Sequence, residues 1–451
     1  MGIRNLLLGR HADKSSIRLA GHLSEIQRWS DIYNGGGEWR YTRKGGINGG
    51  TRRVASLGAA RALCAELSKL CFTEGSAVCS SDPETESFVR GVLEKNRFTE
   101  RFPAFLERVF ALGGGVIKVY WDDGVRLDFI AADSFIPTQW DSRSIKGGAF
   151  ASKITEGGKG YILAETQQTE NGTLVIENRL YTDNGASAKL ADVFPQLKEK
   201  SRIQGLDRPL FVYFAAGTGS NADCALLGNS VFAGAEDTLK SIDIVFDSLI
   251  REFILGKKRI IVPYYAVRGE YDENGDIRRY FDVNDEVFQA MSVSDSEDLK
   301  ISDNTAQLRV TEHTEALASL LDMLCMQAGL SEGALSYKEG SIRTATEVVS
   351  RNSRTFRTQA HYRGLISEGL SDVMQLICIL GKMTGQLSDA ACEKASVVFA
   401  DGAAEDDGTR IERALKLYNA GIISRTRAIS QIYGISLEEA ENMERTDHNG
   451  E

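Results

Sequence analysis

The chain reads as an α+β protein, and three observations lead to that class. All six prolines fall before residue 264, so long helices can run uninterrupted through the C-terminal half. Short runs rich in β-branched and aromatic residues, separated by glycine-bearing turns, are concentrated in the N-terminal half between Val116 and Ala215. Beyond Phe232, apolar residues recur every three or four positions, the period of an amphipathic helix.

At 451 residues the chain exceeds the size at which a single core stops growing, so two or more subdomains are expected. Hydrophobic residues make up 42% and charged residues 26%, an ordinary balance for a globular protein. With 53 basic and 63 acidic side chains the net charge is −10, which argues against tight, static binding of nucleic acid through phosphate neutralisation. It does not argue against a surface along which DNA slides. The seven cysteines (Cys64, Cys71, Cys79, Cys224, Cys325, Cys378 and Cys392) contain no Cys-x-x-Cys pair. They read as reduced core residues of a protein folded in the cytoplasm. The start, MGIRNLLLGRH, has too short an apolar run for a signal peptide, Leu6 breaks the myristoylation pattern, and no run reaches the ~18 apolar residues of a membrane span.

In chain order, Ile26, Trp29, Ile32 and Tyr33 mark a helix within 17–41 that breaks at Asn34-Gly-Gly-Gly37. An amphipathic helix is expected over 51–72, with Val54, Leu57, Leu63, Leu67 and Leu70 on one face. Phe98 to Leu112 reads as another, ended by Gly113-Gly-Gly115. Strands follow at Val116–Trp121 and, after the turn Asp122-Asp-Gly124, at Val125–Ile130. Runs at Tyr161–Thr166, Leu174–Tyr181 and Leu210–Ala215 suggest one small antiparallel sheet packed on the preceding helices.

The most regular helical signal is Phe232, Ala235, Leu239, Ile242, Phe246, Leu249 and Phe253, a stripe fit for packing against neighbouring helices. Gly256 ends it. A compact insert over 260–310 carries an Asn274-Gly275 hairpin signal, and 257–311 has a charge of −3. Helical spacing returns at Leu317, Leu320, Leu321 and Leu324 and stops at Gly329.

Then comes GLSEGALSYKEGSIRTATEVVSRNSRTFRTQAHYRGLISEGLSDVMQLICILGKMTG, residues 329–385. A Gly- and Ser-rich loop precedes the capping box Thr344-Ala-Thr-Glu347, so a helix of about forty residues should begin at Ala345. Gly364 and Gly369 lie inside it, where a bend or a close backbone contact is expected. Its first half is polar and rich in arginine; its second half is oily. A strand at Ala395–Phe399, an acidic turn over 401–407 and three short helices complete the chain.

Catalytic chemistry finds little footing. Gly329-Leu-Ser331-Glu-Gly333 fits the G-x-S-x-G pattern, but that motif needs a strand before the serine and a helix directly after it, and here a helix end and a loop surround it. There is no phosphate-binding loop and no H-E-x-x-H, and the five histidines are too dispersed to nominate a metal site. No cofactor is implied. Arg351, Arg354 and Arg357 recur every third residue and fan around one side of the helix. They read as a solvated or subunit-facing surface or, alternatively, as a rail for DNA phosphates.

The segments 329–370 and GNSVFAGAEDTLKSIDIVFDSLIREFILGKKRIIVP, with SEIQRWSDIYNGGGEW, AADSFIPTQWD and YNAGIISRTRAISQIYGISLEEAE, resemble portal proteins of tailed bacteriophages. The likeness is to the family of long-tailed phages and prophages of Gram-positive hosts, and TATEV after a GLS loop is its most specific part. The resemblance implies a homo-oligomeric ring, generally of twelve subunits, at one capsid vertex of the virion, assembled in the host cytoplasm. Double-stranded DNA enters and leaves through it without sequence specificity. Its implied partners are the terminase large subunit, a head-tail adaptor, the scaffold and the major capsid protein; no membrane and no enzymatic activity are implied.

On that pattern residues 1–228 form a β-containing wing, 229–256 a stem helix, 257–311 a small α/β clip and 312–329 a second stem helix. Residues 330–344 would be a tunnel loop, 345–385 a long kinked helix and 386–451 a helical crown. Phe232, Leu239, Ile242, Phe246, Leu249 and Phe253 would pack the stem. Ser336, Tyr337, Lys338, Glu339 and Arg343 would line the DNA tunnel, with Tyr337, Lys338 and Arg343 at its narrowest part. Another ring-forming head-tail connector is the alternative, and a serine hydrolase using Ser331 a remote one.

Overall fold

Helices and two antiparallel sheets share a phenylalanine-rich core. The computed structural model describes residues 16–43, 51–72, 77–80, 82–217, 226–256, 260–261, 268–271, 277–280, 302–303, 307–335, 351–391, 395–399, 411, 414–416, 418–419, 424–433 and 440. Helix α1 (Ser16–Tyr33) ends at the Gly35–Gly37 turn, and the antiparallel strands β1 (Tyr41–Arg43) and β2 (Thr51–Arg53) follow. The helix expected over 51–72 is therefore shorter than its apolar pattern suggests. It is α2 (Ala59–Cys71), entered through Gly58 at φ +73°, while Val54 and Leu57 lie in the connection. Residues 51–53 carry no helical contacts because their amides are held by β1.

Strand β3 (Ala77–Ser80) leads to α3 (Pro83–Lys95), a helix absent from the periodicity reading. Its start is nevertheless built by rule, with Pro83 at the first position and Asp82 accepting from the amides of Glu84 and Thr85. Helix α4 (Phe98–Leu112) has the predicted bounds and ends at Gly113, φ +83°. A Cβ on Gly113 would lie 2.3 Å from the carbonyl oxygen of Gly228, so glycine is needed both for the turn and for the close approach of the two strands of chain.

Strands β4 (Gly114–Trp121) and β5 (Val125–Ala131) form the expected hairpin across Asp123 and Gly124. Next in the chain are β6 (Phe135–Trp140), β7 (Ile145–Glu156), β8 (Lys159–Glu170), β9 (Thr173–Thr182), β10 (Ser187–Ala188), β11 (Lys200–Gln204) and β12 (Phe211–Ala215). Two separate sheets result rather than one. The larger runs β10-β9-β8-β7-β6, with β11 also on β9; the smaller runs β12-β4-β5. The run Leu210–Ala215 thus leaves its sequence neighbours and pairs with β4, Phe211 opposite Lys118 and Ala215 opposite Gly114.

Helix α5 (Glu236–Leu255) and helix α6 (Val310–Gln327) flank the insert, in which β13 (Ile260–Ile261) pairs with β16 (Ser302–Asp303) and β14 (Arg268–Tyr271) with β15 (Ile277–Tyr280). The last pairing brackets the Asn274-Gly275 hairpin signal. Helix α7 (Ser353–Met383) is a single element of 31 residues, about 46 Å long, and its helical hydrogen bonding passes through Gly364 and Gly369. The capping box at Thr344–Glu347 lies outside the described residues. Tyr362, Ile366, Leu370, Val373, Ile377 and Leu380 bury one face of α7 against β12, β4 and β17 (Ala395–Val398).

The core gathers Phe72, Phe98, Phe102, Phe105, Phe129 and Phe214 from four elements or their edges, with ring centroids between 4.8 and 6.2 Å in the contacting pairs. Gly369 is where α7 meets this cluster: a Cβ there would lie 2.5 Å from the Phe214 ring. Strand β17 pairs antiparallel with β3, Ala395 opposite Ser80, and Ser388 donates to Glu84. The chain immediately after α7 is consequently built into the N-terminal body. Helix α8 (Arg425–Tyr433) lies near the C-terminus.

Candidate assembly and channel surface

Helices α5 and α6 form an antiparallel hairpin whose far end carries the paired strands of the insert. Arg309, at the start of α6, donates from Nε to Glu252 Oε1 at 2.9 Å near the end of α5, and His313 Nε2 lies 3.4 Å from the same oxygen. The Arg309 hydrogen bonds hold the Glu252 carboxyl below the usual carboxylate range.

The predicted packing stripe divides along its length. Phe232 and Ala235 precede the helix and are buried, as are Leu239 and Ile242 within it. Phe246 and Leu249 are half-buried. Phe253 is not part of a buried seam: it is 51% exposed, beside Ile254 at 57% and Leu255 at 51%. The hairpin runs out past the core at this point, so α6 covers only one side of α5. On α6, Glu312, Glu315, Met323 and Met326 are also exposed.

A feature without any sequence forecast holds α5 to the N-terminal body. Asp243 and Asp247, one turn apart, are both buried. Asp243 accepts from Trp39 Nε1 at 2.8 Å and from the Leu57 amide at 3.1 Å, and the buried Arg40 Nη1 approaches its Oδ2 at 3.1 Å, off the hydrogen-bonding angle. Asp247 takes a two-pronged hydrogen bond from Arg52, both contacts 2.7 Å, and a third from the Ala55 amide at 3.0 Å. Arg52, chiefly, keeps the Asp247 carboxyl below its ordinary range. The available signal was two aspartates at i and i+4 on the border of an apolar stripe, a pattern that a solvent face produces equally well.

After α6 the chain turns at Gly329 (φ +77°) and is pinned to the first two turns of α7. Thr355 Oγ1 accepts from the Ser331 amide at 2.9 Å, Ser331 Oγ accepts from the Thr355 amide at 3.3 Å, and Thr358 Oγ1 donates to the Gly329 carbonyl at 2.6 Å. Ser331 is thus a buried cross-brace whose hydroxyl oxygen is engaged with a backbone amide, in a turn with no strand before it.

Ser336, Tyr337, Lys338, Glu339 and Arg343 lie outside the described residues. Arg351, Arg354 and Arg357 are exposed, and among the described residues none of the three has a carboxylate partner. Arg354 and Arg357 line a groove of about 540 Å³ together with Met326, Ala328, Gly329 and His361, so the structure brings this part of α7 beside the end of α6. Arg363 differs: its guanidinium reaches the carbonyls of Leu70 and Cys71 and packs over Phe399, tying α7 to the core. Among the described residues no group of histidines, cysteines and carboxylates could hold a metal ion.

The sequence pattern of the family described as phage portal protein, SPP1 Gp6-like, matches residues 20–450. The chain belongs to that family. Portal-family proteins are structural, so this is an oligomeric, capsid-associated component of a phage particle. Among solved structures, a chain from the virion of a native gene transfer agent (GTA) particle is similar at 12% identity and a TM-score of 0.43, covering 84% of this chain and 89% of that one. No curated protein sequence matches.

Proposed function

We propose that the chain forms the ring at the unique capsid vertex through which double-stranded DNA is packaged and ejected, and on which the terminase large subunit and later the head-tail adaptor dock. The observation that carries this reading is the family match across residues 20–450, taken with the succession of helix hairpin, β tip, braced turn and long helix. On this reading α5 and α6 are the stem, and the strands of 257–311 belong to the clip. Residues 330–344 form the tunnel loop, anchored at its N-terminal end by the Ser331–Thr355 brace. Residues 1–228 supply most of the wing. Because β17 pairs with β3, the wing also takes in 386–399, and the crown starts beyond Phe399.

A net charge of −10 suits a conduit, since the 63 acidic side chains outnumber the 53 basic ones and the protein as a whole does not attract phosphates. Tyr337, Lys338 and Arg343 are assigned to the constriction and Arg351, Arg354 and Arg357 to a subunit contact or DNA rail. Twelve copies, assembled in the host cytoplasm with scaffold and major capsid protein, are the expected stoichiometry and setting.

Two-dimensional class averages of the purified protein test the ring directly. Closed rings with a central hole are expected, and a uniform monomer at high concentration would sink the assignment. Reversing the charge of Lys338 and Arg343 together is expected to alter packaging rate or retention of packaged DNA. Unchanged values for both would remove these residues from the constriction.

A further inference from the structure

The β1–β2 hairpin is a basic island on an acidic protein. From residue 39 to residue 65 the sequence holds Arg40, Arg43, Lys44, Arg52, Arg53 and Arg61 and no aspartate or glutamate. Arg40 and Arg52 are spent inward on Asp243 and Asp247. Side chains alternate across a β-ribbon, so the neighbours of that inner set face outward. Tyr41, 63% exposed, stands directly opposite the exposed Arg53, and among the described residues Arg53 has no carboxylate partner.

The hairpin is fixed at one side of α5. At about 100° per residue, Glu252, which meets α6, lies roughly 140–180° around the helix from Asp247 and Asp243. The hairpin and α6 therefore flank α5 on opposite sides. The same counting puts Glu312, Glu315, Met323 and Met326 on one stripe of α6, turned away from the buried Leu317, Leu321 and Leu324. All four are exposed, and neither glutamate has a basic partner among the described residues. Apart from His313, α6 carries no basic residue at all. In level, Glu315 is about two residues from His313 and Asp247 about five from Glu252, so the acidic stripe and the root of the basic hairpin stand within about one helical turn along α5.

We infer that the Tyr41/Arg53 face of the β1–β2 hairpin docks on the Glu312/Glu315 stripe of α6 in a second copy of this chain. Complementary patches on opposite sides of one element make a head-to-tail contact, the kind that closes into a ring by repetition. The inference rests on the ring reading and specifies where neighbouring copies touch. The opposite charges set register and orientation at a contact whose apolar part is Tyr41 against the outer side of α6.

The experiment compares wild-type protein with Arg53→Glu, with the pair Glu312→Arg and Glu315→Arg, and with all three changes together, by light scattering across protein concentration. Each charge reversal is expected to raise the concentration needed for half-assembly at least about fivefold, and the combined swap to recover it. Recovery separates a lost contact from a misfolded chain. In the pair Arg53→Cys and Glu315→Cys, oxidation is expected to give a ladder of covalent multimers that neither single substitution gives. Rings that persist without cross-links, and whose assembly ignores every charge reversal, overturn this contact while leaving the ring reading intact. Unchanged assembly with weakened retention of duplex DNA would assign the hairpin to nucleic acid and overturn it too. A wild-type chain that never assembles overturns the ring and the contact together.

Discussion

Removing the Asp243 carboxylate leaves Trp39 Nε1 and the Leu57 amide without an acceptor and the buried Arg40 guanidinium without its counter-charge. Asp243→Ala is accordingly expected to cost about 3 kcal/mol, read from denaturant unfolding, and a loss below about 0.5 kcal/mol would show that water replaces the carboxylate freely. Asp247 adds a pH dependence. Its folded-state pKa is lowered, so its contribution is complete above the unfolded-state value near 4 and disappears as pH falls through the folded one. Asp247→Asn should therefore flatten part of the acid limb of melting temperature between about pH 5 and pH 2, with little change in the slope above it. An identical acid limb in both proteins would mean that the Arg52 pairing adds nothing. At this scale the sequence was least legible. Ser331 matched a catalytic pattern and proved to be a brace, while Asp243 and Asp247 matched nothing and hold α5 in place. A side chain's role depends on residues roughly 190–205 positions away in the chain, which local pattern does not encode.

Among the elements, the two interior glycines of α7 offer a controlled contrast. A Cβ at Gly364 would meet nothing within 4 Å, whereas one at Gly369 would meet the Phe214 ring at 2.5 Å. Gly364→Ala should stabilise by up to about 1 kcal/mol through helix propensity, and Gly369→Ala should destabilise, because the Phe214 ring is locked among Phe102 and Phe105. Melting temperatures moving in the same direction would contradict this account. Of the two sequence expectations for these glycines, close contact holds at Gly369. Periodicity located α1, α4, α5, α6 and α7 because each buries one face against a partner. It failed at 51–57, where Val54 and Leu57 lie in the connection that follows β2, and it missed α3, whose cap chemistry was the better guide. The runs of β4, β5, β8, β9 and β12 were readable one by one, but β6, β7, β10 and β11 were not, nor was the division into two sheets, since β12 finds its partner β4 across about ninety intervening residues.

For the whole molecule, the exposed apolar end of α5 points to contacts beyond a single chain. Phe253, Ile254 and Leu255 lie outside the core, so replacing all three with serine should change the unfolding free energy of the monomer by no more than about 0.5 kcal/mol. The same triple variant should weaken oligomer formation, as measured by light scattering, because an apolar cluster at the end of a projecting hairpin is buried only in an assembly. Wild-type assembly in the triple variant would assign the cluster to another partner. The sequence by itself determined the α+β class, the order of hairpin, insert and long helix, and membership of the portal family, because periodicity, turn chemistry and family pattern are local or additive along the chain. Tertiary structure alone decided which strands share a sheet and that the chain after α7 returns to β3. It also decided that a hairpin rich in arginine is anchored on two buried aspartates, with Tyr41 and Arg53 exposed on its other face. These facts depend on contacts between residues distant in sequence, where pairing is selected by the burial and hydrogen bonding of the complete fold.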